Sequence, residues 1–214
     1  MKDIYKKIII TSVFSLLILA AIGRAIILMR SNYDSKTLNL KNNKSQTSVN
    51  FSVEAGQIAI QTGPLVKNKQ ASEIVSIDLP GTLYSPPKEI DKVSKSASNW
   101  KTPLEAMTAD FSAFKSDDTD WILNDFIPEE QKALKEDFLN NKDLRKRSLD
   151  IFTKRKSRSI LGEIYIEKYL IFIAKDSGQT EPQLYTFKET ASGWKRTNAL
   201  SNNESFSIIT AAIY

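Results

Sequence analysis

The chain has 214 residues, of which 41% are hydrophobic and 26% are charged, and its formal net charge is +5. A chain of this length and composition is typical of one globular domain with extensions. It contains neither cysteine nor histidine, which excludes disulfides, thiolate nucleophiles, Cys or His metal sites and a Ser-His-Asp triad. We therefore expect no cofactor, and any catalysis has to use carboxylate, Lys, Tyr or Ser side chains.

An apolar stretch at residues 8–29 is the most informative feature of the N-terminal part. It follows three lysines, Lys2, Lys6 and Lys7. Its length matches the roughly 20 residues of a membrane-spanning helix, and the positive-inside rule places the lysines in the cytoplasm. We predict a cytoplasmic tail at residues 1–7, a transmembrane helix at residues 8–29 in the inner (cytoplasmic) membrane, and an extracytoplasmic remainder. Arg24 can extend toward the outer headgroups. The alternative is a signal peptide cleaved near Gly23, which predicts a secreted protein.

Residues 30–50 are polar and rich in Asn, Ser, Lys and Thr, a composition typical of a linker that tethers a domain. Residues 51–98 contain two strand-like runs, at 57–60 and 73–77. These runs predict either a small hairpin packed on the main domain or a strand offered to a partner. A second, shorter linker is predicted at residues 88–99.

Three helices are predicted at the start of a folded domain at residues 99–214. Thr102, Pro103 and Glu105 form a helix start with a capping box, followed by an apolar face at helical spacing. An Asp-rich break at residues 117–120 ends this helix and begins the second. Pro128 opens the third helix, with acidic residues in its first turn.

After about Ser157 the hydrophobic period changes from helical to strand-like. Strands are predicted at residues 160–166, 169–174, 183–188, 194–197 and 205–214. Helices followed by antiparallel strands predict an α+β domain with the helices on one face of a curved sheet.

This order of elements resembles the NTF2-like family, whose fold is a cone-shaped α+β domain. Four local features carry the resemblance: Thr102-Pro103-Leu104-Glu105-Ala106, the Asp-rich break, Pro128-Glu129-Glu130 and Gly193-Trp194-Lys195. The resemblance covers about residues 99–214 and implies three helices packed on a curved antiparallel sheet. The family includes isomerases, dehydratases, ligand binders and secretion-system subunits, so the fold does not determine the function.

A run of cationic residues is the first candidate site. It predicts a surface that binds an acidic protein partner or anionic headgroups, and the alternative is a solvated helix end that favours cations. Nucleic acid is not an expected partner, because the domain is predicted to be extracytoplasmic. The residues of this run are Lys142, Arg145, Lys146, Arg147, Lys154, Arg155, Lys156 and Arg158.

A set of aromatic residues is the second candidate site, either lining a cone-shaped pocket or forming a hydrophobic core. Its main members are Phe111, Phe114, Trp121, Tyr185 and Trp194.

No catalytic or metal-binding motif is predicted. The carboxylates of the Asp-rich break lack the spacing of a calcium loop, and helix capping accounts for Asp118 and Asp120. Ser-x-x-Lys occurs three times without its partner motifs. We therefore expect a non-enzymatic, membrane-anchored binding or assembly module, such as a subunit of a bacterial envelope or secretion complex. The alternatives are a small-molecule or lipid carrier that uses the cone, and a carboxylate-dependent isomerase or hydrolase.

Overall fold

The computed structural model describes residues 48–62, 70–116 and 118–214. They form an α+β domain around a six-stranded antiparallel sheet with the sequential strand order β1–β6, so the predicted class is confirmed. The strands are β1 (Ser48–Glu54), β2 (Ile74–Ile90), β3 (Arg158–Ile166), β4 (Tyr169–Asp176), β5 (Gln183–Thr190) and β6 (Gly193–Arg196). The helices are α1 (Ala55–Thr62), α2 (Pro103–Ser116), α3 (Thr119–Asn124), α4 (Pro128–Asn140), α5 (Lys142–Thr153) and α6 (Glu204–Ile213), with a 3-10 turn at Lys95–Ala97.

Helices cover both faces of the sheet, as the alternating side chains of the central strand β4 show. Ile171 and Ile173 belong to a hydrophobic layer that includes residues of α1 and α6. Leu170 and Phe172 point to the opposite face, where they pack in a layer with Phe111 of α2. The predicted arrangement of helices on one face is therefore wrong, because α1 and α6 form a second helical layer.

The C-terminal residues 205–214, predicted as a strand, form the helix α6 instead. Asn203 caps this helix, since its side-chain oxygen accepts a hydrogen bond from the backbone N–H of Phe206 at 3.1 Å. Residues 57–60, also predicted as a strand, lie in α1. Both segments are short apolar runs, for which periodicity alone does not separate a strand from a buried helix.

The first two strands belong to the same sheet as the rest of the domain. β1 pairs with β2 in an unbroken register from Ser48 opposite Pro80, and β2 pairs with β3 with Gly81 opposite Ile164 and Ile90 opposite Arg158. The sheet thus runs through both 51–98 and 99–214, and the predicted linker at residues 88–99 begins within β2. The predicted strand at residues 73–77 is confirmed within β2.

The helix-start signals are confirmed by hydrogen bonds. The backbone N–H of Glu105 donates to Thr102 Oγ1 at 3.3 Å, and the N–H of Thr102 donates to Glu105 Oε2 at 3.0 Å. Four helices, rather than the predicted three, lie between residues 103 and 153, because Asn141 leaves the helical conformation (φ −118°, ψ 53°) and separates α4 from α5.

The predicted cytoplasmic tail, transmembrane helix and nearly all of the polar linker lie outside the described residues. Within the described part of the chain, no helix has both the length and the apolar character that crossing a bilayer requires.

We predict that Gly193→Ala lowers the free energy of unfolding by about 3 kcal/mol. Gly193 has φ +101°, and a Cβ atom there would overlap the backbone of Trp100, whose carbonyl accepts a hydrogen bond from the N–H of Trp194 at 2.7 Å. Gly178→Ala is the matched control, since Gly178 has φ +82° with open space around the missing Cβ and should cost about 1 kcal/mol. Urea titration of both variants measures the difference, and equal losses would contradict the steric argument.

Candidate functional site

A buried arginine lies between the sheet and α2. The side chain of Arg158 is 1% exposed, and its Nε donates to Asp176 Oδ1 at 2.5 Å while its Nη2 donates to Asp176 Oδ2 at 3.1 Å. Nη2 also donates to the hydroxyl of Tyr185 at 2.8 Å, and Nη1 donates to Asp110 Oδ2 at 3.1 Å. These charge-assisted and partly bidentate contacts are the strongest hydrogen bonds that a guanidinium makes.

The strand register and the face of α2 bring these groups together. Arg158 and Asp176 lie directly opposite each other on β3 and β4, so their side chains are on the same face of the sheet. Tyr185 lies on β5 in the same hydrophobic layer as Met107 and Phe111 of α2. Asp110 occupies the same turn of α2 as these two residues, which places its carboxylate over the sheet.

Two further arginines complete the cluster. Arg155 Nη1 donates to Asp176 Oδ2 at 2.6 Å, and Arg196 Nη1 donates to Asp110 Oδ1 at 2.8 Å. Three guanidinium groups therefore share two carboxylates. We call these five residues, Arg155, Arg158, Arg196, Asp110 and Asp176, the arginine–aspartate cluster.

The aromatic rings of the interior lie against these cations. The Arg158 guanidinium carbon is 4.0 Å from the ring centroid of Tyr185 and 4.9 Å from that of Phe111, and the Arg155 guanidinium carbon is 4.1 Å from the ring centroid of Phe152. Such cation–π contacts partly replace the lost hydration of a buried charge.

The pKa values follow from burial and pairing. Burial opposes the charge of Arg158, but its hydrogen bonds and ion pairs with the carboxylates of Asp176 and Asp110 outweigh it and raise the pKa of the guanidinium. Burial would raise the pKa of Asp176, but its hydrogen bonds and ion pairs with Arg158 and Arg155 hold it below the ordinary value. Burial raises the pKa of the Tyr185 hydroxyl. Arg158 and Asp176 are therefore charged around neutral pH, with Tyr185 protonated.

Asp125 is a further buried carboxyl outside the arginine–aspartate cluster, at the C-terminal cap of α3. Its Oδ1 accepts a hydrogen bond from Trp100 Nε1 at 2.7 Å. Among the described residues, neither Asp125 Oδ2 nor the Nε1 of Trp121 has a hydrogen-bond partner. Burial, followed by the charge of Asp110, raises the pKa of Asp125 to about 8, against the opposing effects of the Trp100 hydrogen bond, Lys195 and Arg196. The carboxyl is therefore mostly protonated at neutral pH.

Asp125 and Arg196 link the buried carboxyl of Asp125 to the arginine–aspartate cluster at the β6 edge of the sheet. The backbone N–H of Arg196 donates to the carbonyl of Asp125 at 2.7 Å, and the N–H of Ile127 donates to the carbonyl of Arg196 at 3.0 Å. The side chain of Arg196 meanwhile reaches Asp110. The short strand β6 is thus held on its outer side by the segment between α3 and α4.

The structure divides the predicted cationic run into two groups. Arg155 and Arg158 are buried in the arginine–aspartate cluster, so their assignment to a partner-binding surface is wrong, because Asp176 pairs with both inside the domain. Lys146, Lys154 and Lys156 are exposed. The side chains of Lys142, Arg145 and Arg147 lie outside the described part of the structure.

The predicted aromatic set lies around the arginine–aspartate cluster. Phe111 and Tyr185 are buried in one hydrophobic layer, with Trp194 partly buried against it. Phe114 and Trp121 are buried in the adjacent layer formed with α3 and α4. In these positions the rings fill the space between the sheet and the helices.

Sequence reasoning missed Asp110, Asp176 and Arg196. Asp110 lies within the apolar face of α2, and a carboxylate at such a position signals a buried partner. Asp176 is the last residue of β4, next to a turn in which its carbonyl accepts a hydrogen bond from the N–H of Gln179, and a polar residue at such a place is typical of a turn. Arg196 carries no local signal, since its partner Asp110 is 86 residues away.

Asp118 of the Asp-rich break caps α3, as predicted, whereas Asp120 lies in the first turn of that helix. Asp118 Oδ1 accepts a hydrogen bond from the N–H of Trp121 at 2.9 Å, and Lys95 Nζ lies 2.6 Å from Asp118 Oδ2. The described residues contain no group of three or more acidic side chains arranged to hold a metal ion.

Comparison with known proteins finds no match to a family model, to a curated protein or to a solved structure.

We predict that Arg158→Met lowers the free energy of unfolding by about 3–5 kcal/mol, because it removes a buried cation and leaves its two carboxylates partly unpaired. The loss should shrink as the pH falls into the acidic range, since protonation of Asp176 then relieves its buried charge. Lys156→Met, which removes an exposed cation two residues away, is the control and should change stability by about 0.5 kcal/mol or less. Denaturant titrations at several pH values test this, and equal effects of the two variants would contradict it.

We predict that Asp125→Asn raises the free energy of unfolding at pH 7.5 by about 1–3 kcal/mol. The pKa of Asp125 is raised in the folded state, so folded protein retains a proton that unfolded protein releases above about pH 4. Its contribution to stability is complete below that pH and is lost as the pH rises to about 8. Asp125→Asn should remove this decline, whereas Asp120→Asn, at an exposed position of α3, should keep it. Parallel stability–pH curves for wild type and Asp125→Asn would contradict the prediction.

Proposed function

We propose that the protein is a membrane-anchored, extracytoplasmic binding or assembly module, and specifically a subunit of a bacterial envelope complex with an NTF2-like outer domain. The observation that carries this proposal is the filled interior between the sheet and α2. Arg158, Phe111 and Phe172 are each at most 2% exposed there. An interior occupied by ion-paired and aromatic side chains leaves the outer surface as the place of recognition.

The exposed surface near α5 has the chemistry of a protein-binding surface. Lys146, Lys154 and Lys156 are exposed, and two large apolar side chains are also exposed on the helical pair α4 and α5, Leu139 at 60% and Ile151 at 47%. Lysines attract an acidic partner over a distance, while exposed apolar side chains add contact area once the partner is bound. We call Lys146, Lys154 and Lys156 the lysine surface.

The N-terminal sequence supports the location. Residues 8–29 are apolar and long enough to span a bilayer, and a polar segment separates them from β1. A tether of this kind holds the domain close to membrane-bound partners and raises their effective concentration. The proposed partners are therefore lipid, through the anchor, and an envelope protein, through the domain.

We predict that replacing the three residues of the lysine surface with glutamate reduces in vivo crosslinking to the envelope partner about tenfold or more, because the reversed charge repels an acidic surface. The full-length chain, crosslinked in cells and recovered from the membrane fraction, provides the measurement. The matched control is Lys132→Glu/Lys135→Glu, which reverses exposed lysines of α4 and should retain the crosslink. Full-length protein freely dissolved in the cytosol, or crosslinks to lipid and small metabolites alone, would overturn the proposal.

A carboxylate-dependent isomerase or hydrolase is a second candidate, and the state of Asp125 favours it. Its pKa of about 8 suits a general acid, which must hold a proton near neutral pH. Asp125 is 1% exposed, so a substrate has to displace neighbouring side chains to reach it. A thermal-shift screen of small metabolites separates the candidates: a compound that stabilises the wild type but not Asp125→Asn favours the enzyme.

A further inference from the structure

The two edges of the sheet differ in how they are protected. At one edge, β6 is short, and its outer side is bonded to the backbone of Asp125 and Ile127. At the other edge, β1 pairs with β2 on its inner side only, and among the described residues no backbone hydrogen bond reaches the outer side of residues 48–53. An unprotected strand edge offers a row of donors and acceptors to another strand.

Residues 48–53 of β1 also lack the devices that normally prevent edge-to-edge pairing. Residues 48–53 contain no charged residue and no proline. The register between β1 and β2 is continuous, with no bulge to twist the edge away. Lysines, prolines and bulges are the usual means of blocking such an edge, so the sequence of β1 permits pairing.

The side chains of β1 are complementary to a second copy of the same strand. Val49, Phe51 and Val53 face the hydrophobic layer with α1 and α6, while the small polar side chains of Asn50 and Ser52 face solvent. In an antiparallel pair of identical strands centred on one of residues 50–52, apolar residues lie opposite apolar residues, and polar opposite polar. No like charges meet in this pair, because residues 48–53 are uncharged.

The polar side chains of β1 form hydrogen bonds with β2 and do not extend over the outer edge of β1. Asn50 Nδ2 donates to Asp78 Oδ1 at 2.9 Å, and the hydroxyls of Ser52 and Ser76 are 2.7 Å apart. These contacts turn the polar side chains toward β2, so they leave the outer backbone accessible to another strand.

We propose that β1 is a self-association edge, through which two copies of this chain pair antiparallel and join their sheets into one. The identity of the partner rests on the proposed function, since tethering to one membrane concentrates copies of the chain and favours weak pairing between them. A two-fold symmetric contact of this kind uses the same residues from both copies.

The absence of cysteine from the chain allows a direct test by disulfide crosslinking of the full-length protein. In the Asn50→Cys/Ser52→Cys variant, every pairing centred on residues 50–52 brings two of the new thiols directly opposite each other, within the range of a disulfide. Mild oxidation should convert most of the protein into a reducible dimer.

The matched control is Ser76→Cys/Asp78→Cys. These positions lie opposite Ser52 and Asn50 on β2, are also exposed, and lose the same two side-chain hydrogen bonds. Three strand spacings, about 14 Å, would separate them across the pair, which is too far for a disulfide. We expect at least tenfold more dimer from the β1 variant than from the β2 control.

Equal crosslinking of the two variants, or a β1 variant that stays monomeric, overturns the proposal. A monomeric β1 variant would show that two copies do not pair through this edge. Fractionation of the same samples reports separately whether the chain is in the membrane. Failure of the pairing can thus be distinguished from failure of the proposed function.

Discussion

The structure depends on the burial of the Arg158 guanidinium among carboxylates from two other elements. Asp176 lies on β4 and Asp110 on α2, so one side chain couples the sheet to the helix above it. A buried ion pair adds little net stability over an apolar pair of the same size, but any arrangement that separates its members is strongly penalised. The arginine–aspartate cluster therefore selects one register of β3 against β4 and one position of α2.

The two helical layers serve different purposes. The layer formed with α1 and α6 is built from buried apolar side chains such as Phe51, Ile171 and Ile209, and such packing is non-directional and tolerates small shifts. The layer under α2 combines apolar side chains with the arginine–aspartate cluster, whose contacts are directional. Apolar burial thus stabilises both layers, and the second layer adds directional contacts that favour one arrangement.

The sequence predicted the elements whose signals are local. The capping box of Thr102 and Glu105, the helix start at Pro128 and the strands β3 to β5 were predicted because each rests on neighbouring residues. The arginine–aspartate cluster was not, because 48 residues separate Asp110 from Arg158 and no local pattern reports such a pairing. The helix α6 differs from the predicted strand because a short apolar segment is compatible with either period.

The predicted cationic run shows that burial depends on the type of cationic side chain and not only on its charge. A guanidinium is planar and weakly hydrated and binds carboxylates bidentately, whereas an ammonium is a strongly hydrated point charge. In agreement with this difference, Arg155 and Arg158 are buried on Asp176, while Lys154 and Lys156 remain in solvent.

This division limits what the lysine surface can contribute to binding. Solvated lysines on long side chains accelerate encounter with an acidic partner more than they slow its dissociation. A lasting complex then needs a second contribution that is insensitive to salt. The proposed self-association at β1 and the proposed tethering to a shared membrane would each supply such a contribution by bringing several binding surfaces together, since neither depends on a surface charge.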